Sequence, residues 1–475
     1  MLLKFLRKTS VFLICLSLVA ATGCESRRPQ AVEESETSST LITEVDSQTP
    51  EENIKLLDDL GGKYKGRTFT IATTNGYLFK NQAGEEAQQS PLERAVASRM
   101  DLLKKSFDLK EIKIIVEDSE REIKEKLRNA ASKGTHYADM VCVSAELTAE
   151  LTEMGLLENM YSLPYVDFDA DYMPANSIRE QSVGDKMFSY SGDATLSMNS
   201  ATVLFYNKKL LKEADLKPVS MVQNGSFTWN ALTDMVKEAA KQGCFGIDTA
   251  LDNEELLYSV YASAGNKFIT IEGGALKANY SGNTAKKVNE INAALFANDK
   301  LCPTRVDQDD AIKDFKQGKT AFLVARLDSV AGISGKSEDG NALVEWGILP
   351  LPKLSSSQTG YIAPVNDIAS CIAVPKSCAD SAFAGFMLNA FLAASTNGLD
   401  EGLKTTYINY YFWDNDSALM LNLIEDSLCY DYGIFLSSLP DVYDVSTRLL
   451  ASDDNLELKK EDEQFFYKFS DRVFG

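Results

Sequence analysis

Hydrophobic and polar positions in the first third of the chain alternate between strand-like runs and helix-like spacing. Apolar runs at 67–73, 112–117 and 138–144 predict three strands. Apolar residues recur every three or four positions at 91–107 and 119–132, which predicts two helices between those strands. The third run does not alternate, so we expect a strand buried on both faces, as in a parallel sheet. This order of elements predicts a doubly wound α/β lobe.

A second series of strands and helices begins near residue 200. The runs at 202–207 and 320–327 predict strands, and helical spacing at 229–243 predicts a helix between them. The stretch at 380–395 is apolar on all sides but too short to cross a bilayer, so it predicts a buried helix. About 415 residues follow residue 60, too many for one hydrophobic core and enough for two.

The N-terminal residues have the pattern of an export signal. Three basic residues precede an apolar run at 11–19, and small residues lead into Cys24. The run is shorter than the ~20 apolar residues that span a bilayer. Residues 21–24 resemble a lipobox, in which the cysteine is diacylated and becomes the new N-terminus; an ordinary secretory signal is the alternative. We therefore expect a protein on the outer face of the cell membrane, anchored through lipid on Cys24.

The composition of the chain argues against several classes of function. Residues 25–53 are rich in Ser, Thr and Glu and contain no aromatic residue, which predicts a flexible tether. The formal charge of −21 disfavours binding to nucleic acid and to anionic membrane surfaces. His136 is the only histidine, and we expect it on a surface loop. No metal site that needs two histidines is available.

Cysteine spacing also argues against a metal site. Six cysteines follow Cys24, and no two of them have CxxC spacing. Cys142 and Cys371 lie in apolar strand-like runs, where we expect buried free thiols. A disulfide between Cys371 and Cys378 is an open alternative. We predict no metal, no cofactor and no catalytic residue.

Polar residues follow two of the predicted strands in the first lobe. Asn75 and Tyr77 come after the first strand, and Ser144 ends the third. Doubly wound sheets bind their ligands outside the carboxyl ends of the strands. These three residues are therefore candidate ligand contacts.

A series of short stretches in a fixed order carries a family resemblance. They are YADMVCVSAELTAELTEMGLLENM at 137–160, VLFYNKKLLKEADL at 203–216, FKQGKTAFLVARL at 315–327 and PVNDIASCIAVPK at 364–376. From about Leu57 to Phe435 the chain resembles bacterial extracellular solute-binding proteins of the carbohydrate-uptake, maltose-binding-protein-like group. The resemblance implies an α/β, two-lobe, periplasmic-binding-protein-like clamshell with a ligand cleft. It also implies hinge crossings between the lobes at 186–196 and 361–368.

The N-terminal pattern and the resemblance together divide the chain into six parts. They are a signal peptide at 1–23, a lipidated flexible tether at 24–60, a first lobe at 61–190, a second lobe at 191–360, a return to the first lobe at 361–425, and C-terminal helices of the second lobe at 426–475.

The implied crossings, the second lobe and the return to the first lobe supply further candidate ligand contacts. These are Tyr190, Asp193, Arg326, Tyr361, Asn366, Asp367 and Trp413. Asp193 and Asp367 have an alternative as turn carboxylates, and Arg326 has one as a partner of Asp328. Trp413 stands in an aromatic run beside a carboxylate, which suits a sugar face, but core packing is an equal alternative. We expect Trp229 and Trp346 to be packing residues.

The resemblance implies a monomeric receptor rather than an enzyme. We expect it to capture a small polar ligand, a sugar or oligosaccharide, and to deliver it to the separate permease of an ABC importer. One alternative is an anchored glycoside hydrolase that uses a pair of carboxyl groups. The other is an envelope adhesin, which predicts a broad apolar or repeat-built face.

The anchoring hypothesis predicts the behaviour of Cys24→Ser. Without an acylated thiol the protein loses its lipid, so it should be released to the medium or remain unprocessed. Membrane fractionation beside the wild-type protein measures this. Unchanged membrane association of Cys24→Ser contradicts the lipoprotein hypothesis.

Overall fold

The computed structural model describes residues 49–57, 61–79, 90–279, 281–305, 307, 309–334, 344–412, 414–436 and 460–474. The predicted signal, Cys24, most of the tether and Trp413 lie outside these residues. Two four-stranded sheets, two two-stranded sheets and helices form the described part of the chain, and one of the small sheets is the antiparallel hairpin of residues 269–272 and 275–278.

Helices and strands alternate along most of the described chain. The helices are Pro50–Lys55 (α1), Pro91–Ser106 (α2), Glu120–Lys133 (α3), Ala145–Glu153 (α4), Ala175–Gln181 (α5), Lys208–Glu213 (α6), Pro218–Gln223 (α7), Trp229–Ala240 (α8), Asn253–Ser263 (α9), Gly282–Leu295 (α10), Asp309–Lys316 (α11), Val330–Ile333 (α12), Ser381–Ala393 (α13), Leu399–Tyr410 (α14), Asn415–Asp426 (α15), Tyr432–Phe435 (α16) and Lys460–Phe474 (α17). The strands are Thr68–Thr73 (β1), Glu111–Val116 (β2), Met140–Ser144 (β3), Thr202–Asn207 (β4), Phe245–Thr249 (β5), Ile269–Glu272 (β6), Ala275–Ala278 (β7), Thr320–Arg326 (β8), Trp346–Leu349 (β9), Ala363–Pro364 (β10), Ser370–Ala373 (β11) and Leu428–Cys429 (β12).

The first sheet has the strand order β11-β3-β1-β2. Strand β1 pairs in parallel with β2 and β3, as the sequence predicts. Strand β11 comes from much later in the chain and pairs antiparallel with β3 at the edge. Local sequence sets the helix ends: Ser90 and Glu93 form a capping box at the start of α2, and Gly134 ends α3 in the left-handed region at φ 62°.

The second sheet has the strand order β5-β8-β4-β9. Strand β4 lies in the centre and pairs antiparallel with β8 and β9, while β5 pairs in parallel with β8. Helix α8 begins after Thr228, whose hydroxyl accepts the Ala231 N–H at 3.3 Å, as predicted. Trp229 and Trp346 are 1% and 6% exposed, so both are packing residues.

Several segments pass between the two sheets and pair with one another. Tyr190 pairs antiparallel with Ile372 of β11, and Ala201 pairs antiparallel with Val365. Helix α14 packs against α2 beside the first sheet, whereas the next helix, α15, packs against β9 of the second. The short strands β10 and β12 pair in parallel among these segments.

The C-terminal helix α17 packs against strand β7 and contacts several other segments. The Ser470 hydroxyl accepts the Leu276 N–H at 2.9 Å. The Phe474 ring centre lies 5.7 Å from that of Phe188 and 5.8 Å from that of Tyr432. Helix α17 therefore joins the β6–β7 hairpin to the segments that pass between the sheets.

The structure also tests the predictions for the cysteines, for His136 and for the apolar helix. Cys142 and Cys371 are buried free thiols, as predicted, and Cys378 is also free, so the alternative of a Cys371–Cys378 disulfide is wrong. His136 lies in a loop and contacts Asp139 at 3.0 Å. Helix α13 is buried on all sides, as its sequence predicts. Within the described residues, no helix combines the length and apolarity needed to cross a membrane.

Close packing at Gly385 predicts that Gly385→Ala destabilises the protein. An alanine Cβ there would lie 2.4 Å from the Pro164 carbonyl oxygen and 3.0 Å from Leu163 Cβ. That clash should outweigh the ~1 kcal/mol by which alanine favours a helix, with a net loss of ~1–3 kcal/mol in the free energy of unfolding. Urea denaturation measures this loss.

Gly332→Ala is the matched control in helix α12. The nearest atom to its added Cβ, Ile312 Cγ2, would lie at an ordinary contact distance of 3.5 Å. This variant should be as stable as the wild type or slightly more so. Equal stability of the two variants contradicts the packing argument.

Candidate functional site

A polar cluster joins the second sheet to the segment that follows β10. Strand β8 ends at Arg326, and helix α9 places Glu255 on its first turn. Glu255 Oε1 accepts hydrogen bonds from Arg326 Nη1 at 2.9 Å and from Asn366 Nδ2 at 2.5 Å. We call Glu255, Arg326 and Asn366 the carboxylate–arginine cluster. It contains two of the residues predicted from sequence.

Carboxyl groups surround the carboxylate–arginine cluster. Asp328 Oδ1 lies 3.6 Å from Arg326 Nε, and Asp367 interacts electrostatically with both Arg326 and Glu255. Burial raises the pKa of Glu255 to about 7, although Arg326 opposes the shift. Arg326 thus lies beside Asp328, the partner that the sequence analysis gives as the alternative to ligand contact. It also pairs with Glu255, which the sequence analysis does not predict.

Ser144 lies beside the same segment on the first sheet. Its neighbour Ala145 donates its N–H to the Ala369 carbonyl at 2.9 Å. Glu120 accepts both the Ser144 N–H and the Ser144 hydroxyl, each at 2.6 Å. Burial raises the pKa of Glu120. The backbone from 366 to 370 therefore has the carboxylate–arginine cluster on one side and the end of β3 on the other.

A second group of predicted residues lies near the end of β1. Asn75 Oδ1 accepts the Tyr77 N–H at 3.1 Å, which shapes the turn after the strand. Burial raises the pKa of Tyr77. Asp193 lies in a short 3-10 turn and hydrogen-bonds Asp400. Burial, then the charge of Asp193, raises the pKa of Asp400 well above its ordinary value.

Of the other predicted residues, Tyr190 lies beside the turn that contains Asp193, with which it interacts electrostatically, and Tyr361 lies apart from both groups. The Tyr190 ring is 1% exposed, and its hydroxyl lies 3.2 Å from Ser177 Oγ, so it packs in the interior. Tyr361 donates its hydroxyl to the Val222 carbonyl at 3.2 Å. Trp413 lies outside the described residues. Their roles in ligand binding stay predictions.

An open depression lies elsewhere on the surface and contains none of the predicted residues. Its volume is about 400 Å³, and its lining includes Tyr161, Phe168 and Arg179. The aromatic rings of Tyr161 and Phe168 are 4.7 Å apart. No group of His, Cys, Asp or Glu side chains among the described residues is arranged to hold a metal ion.

The sequence analysis missed Glu255 and Arg99, for different reasons. Glu255 follows Asp252 by three positions and donates its N–H to Asp252 Oδ1 at 2.9 Å, so its local pattern is that of an ordinary helix start. The sequence does contain a signal for the burial of Arg99. Its spacing with Val96 and Leu103 places it on the apolar face of α2, and the structure buries it.

The family model for bacterial extracellular solute-binding proteins matches residues 100–407, and the chain belongs to this family. This confirms the family resemblance predicted from sequence. The family implies a location outside the cytoplasm, extracellular or periplasmic. No curated protein matches the chain in sequence.

Two solved structures show the same fold. The GacH receptor of Streptomyces glaucescens, solved unliganded and with acarbose, has a TM-score of 0.52 at 14% identity over 86% of this chain and 96% of that one. The ABC substrate-binding protein Lmo0181 of Listeria monocytogenes, solved with cycloalternan, has a TM-score of 0.51 at 15% identity over 86% and 98%. The predicted two-lobe, periplasmic-binding-protein-like α/β fold is thereby confirmed.

The raised pKa of Glu255 predicts a pH-dependent stability that Glu255→Gln removes. In the unfolded chain this carboxyl ionises near its ordinary value of 4.5, whereas in the folded protein it ionises at about 7. Between these values the unfolded state releases its proton first, so stability falls as pH rises, by up to about 3 kcal/mol. The glutamine keeps an oxygen acceptor for Arg326 and Asn366.

Chemical denaturation at pH 4.5 and pH 8 measures this effect. The stability of Glu255→Gln relative to the wild type should increase from the lower to the higher pH. Glu290→Gln, at an exposed position on α10, should follow the wild-type curve. A constant difference between Glu255→Gln and the wild type contradicts the prediction.

Proposed function

We propose that this protein is a lipid-anchored receptor that binds a sugar or oligosaccharide and delivers it to an ABC importer. The ligand lies between the two lobes, and the lobes close over it. The protein acts as a monomer, does not alter its ligand chemically, and is held at the membrane through Cys24. The division into lobes and crossings follows the boundaries predicted from the sequence.

The carboxylate–arginine cluster is the observation that carries the proposal. Its groups come from strand β8, helix α9 and the segment at 366–367, and Asp367 lies beside them. Carboxylate oxygens accept hydrogen bonds from hydroxyl groups, while guanidinium and amide N–H groups donate to hydroxyl oxygens. A few fixed polar groups of both kinds suit a ligand rich in hydroxyl groups.

The relatives support a carbohydrate as the ligand class. One structural neighbour was solved with acarbose and another with cycloalternan, and both are carbohydrate-type ligands. The family consists of solute-binding proteins, which supports binding without turnover. These observations favour a receptor over the glycoside hydrolase alternative.

Titration calorimetry with acarbose, cycloalternan and maltotriose tests the proposal. We expect at least one of them to bind with a Kd on the order of micromolar, about −8 kcal/mol. Mass spectrometry should recover that ligand intact. Absence of binding to all three contradicts the proposed ligand class, and release of shorter glycans favours the hydrolase.

Asp367→Asn and Asp193→Asn should weaken the binding of whichever of these three sugars the wild-type protein binds. Asparagine keeps one oxygen acceptor but replaces the other with an N–H donor, so the ligand loses a charged acceptor, at ~1–3 kcal/mol, or about 5- to 150-fold in affinity. The melting temperature of the ligand-free protein should change little. Asp234→Asn, at an exposed position on α8, is the control and should bind as the wild type does.

Affinity and melting temperature separate two roles for these carboxylates. Weaker binding at an unchanged melting temperature supports ligand contact. Unchanged affinity with a lower melting temperature shows that Asp367 and Asp193 support turns instead.

A further inference from the structure

Arg99 is a fully buried arginine that contacts three separate segments. Its side chain points from helix α2 into the first lobe and is 2% exposed. Nη1 donates to the Ala194 carbonyl and to Ser395 Oγ, both at 3.0 Å, and Nη2 donates to the Leu78 carbonyl. The guanidinium therefore joins the turn after β1, the turn that contains Asp193, and the end of α13.

The environment of Arg99 does not neutralise its charge with a carboxylate. No described carboxyl group lies within ion-pair distance of the guanidinium, which instead stacks 4.1 Å from the centre of the Phe391 ring. Burial lowers the pKa of Arg99 to about 9. An aliphatic side chain at this position of α2 would avoid the desolvation of a cation. The fold thus retains a charged donor at a site where packing alone would favour an apolar residue.

The geometry of Arg99 suits the joining of two turns. Both carbonyls that it binds lie in short 3-10 turns, at Gly76–Leu78 and Asp193–Thr195, and belong to neither sheet. A planar guanidinium with several fixed N–H donors holds two such carbonyls and a hydroxyl in one fixed geometry, which a flexible lysine ammonium does not. One turn carries Asn75 and Tyr77, and the other carries Asp193, so a single side chain bonds to both turns of the second group of candidate ligand contacts.

We propose that Arg99 is a positioning residue for ligand binding, which holds the turns at 75–79 and 192–196 at a fixed separation. It touches no ligand itself. This inference rests on the proposed function, because it assigns Arg99 a role in the affinity of that site. Its structural part, the ordering of the two turns, is measurable without any ligand.

Hydrogen exchange of the ligand-free protein tests the structural part. The amides of Phe79, Thr195 and Leu196 are bonded within these turns, to the carbonyls of Gly76, Gly192 and Asp193. In Arg99→Met these three amides should exchange at least tenfold faster, and in Arg99→Lys by an intermediate factor, because lysine keeps the charge but not the planar donors. Amides within β1 should be unaffected.

Leu103→Ala is the matched control, because Leu103 lies one turn further along the same buried face of α2. It destabilises the same helix by loss of packing without loss of a donor to either turn. Equal exchange rates at the turn amides of Leu103→Ala and Arg99→Lys overturn the proposal. The lysine variant keeps this comparison decisive should Arg99→Met fail to fold.

Acarbose affinity, measured well below the melting temperature, tests the functional part. Arg99→Lys should bind at least tenfold more weakly than the wild type, while Leu103→Ala should stay within about twofold. Equal losses in both variants, or none in Arg99→Lys, overturn the positioning role. If the wild type binds no acarbose, the comparison uses whichever of cycloalternan and maltotriose it binds. If it binds none of the three, the proposed ligand class is wrong, and the exchange comparison still decides what Arg99 does.

Discussion

The pairing of the segments that run between the two sheets is the constraint on which the structure depends. Tyr190 with Ile372, and Ala201 with Val365, join strands that are far apart in sequence. Buried backbone groups must find partners, and these segments leave one sheet before they reach the other. Tyr190 meets this need by bonding to β11, the edge strand of the first sheet, and Ala201 by bonding to Val365, which follows β10. The position of each sheet relative to the candidate site therefore follows from backbone hydrogen bonds rather than from side-chain packing alone.

Near these segments, burial affects the charged side chains as much as ion pairing does. Glu255 faces Arg326 and still has its pKa raised to about 7, because desolvation exceeds the attraction. At Asp400, burial and the charge of Asp193 both raise the pKa, and Lys404 opposes them. Arg99 is the converse case, a buried cation satisfied by carbonyl oxygens and an aromatic ring. Each of these groups connects a turn or a helix end to its surroundings. Each also lies near residues that the sequence analysis predicts as ligand contacts.

Local elements could be predicted from the sequence because their signals are local. Strand β4 and the caps of α3 and α8 follow from apolar runs and from Ser or Thr before a helix. The antiparallel pairing of β11 with β3 could not be predicted from such patterns. The two strands are more than two hundred residues apart, and local sequence does not indicate which distant strand a given strand will pair with. Glu255 was missed because its sequence context is that of a helix cap, while its partners Arg326 and Asn366 come from other parts of the chain. The resemblance supplied the two-lobe arrangement, but it did not single out Glu255 or Arg99.

The late origin of strand β11 has a consequence for how the protein folds. Ser144 of β3 pairs with Ser370 of β11, so the edge of the first sheet stays open until residues beyond 370 have been synthesised. Contacts of such long sequence separation slow folding, because the intervening chain must be ordered before they form. Helix α14, which packs on α2, arrives later still. The first sheet therefore gains its last strand only after all four strands of the second sheet have been synthesised.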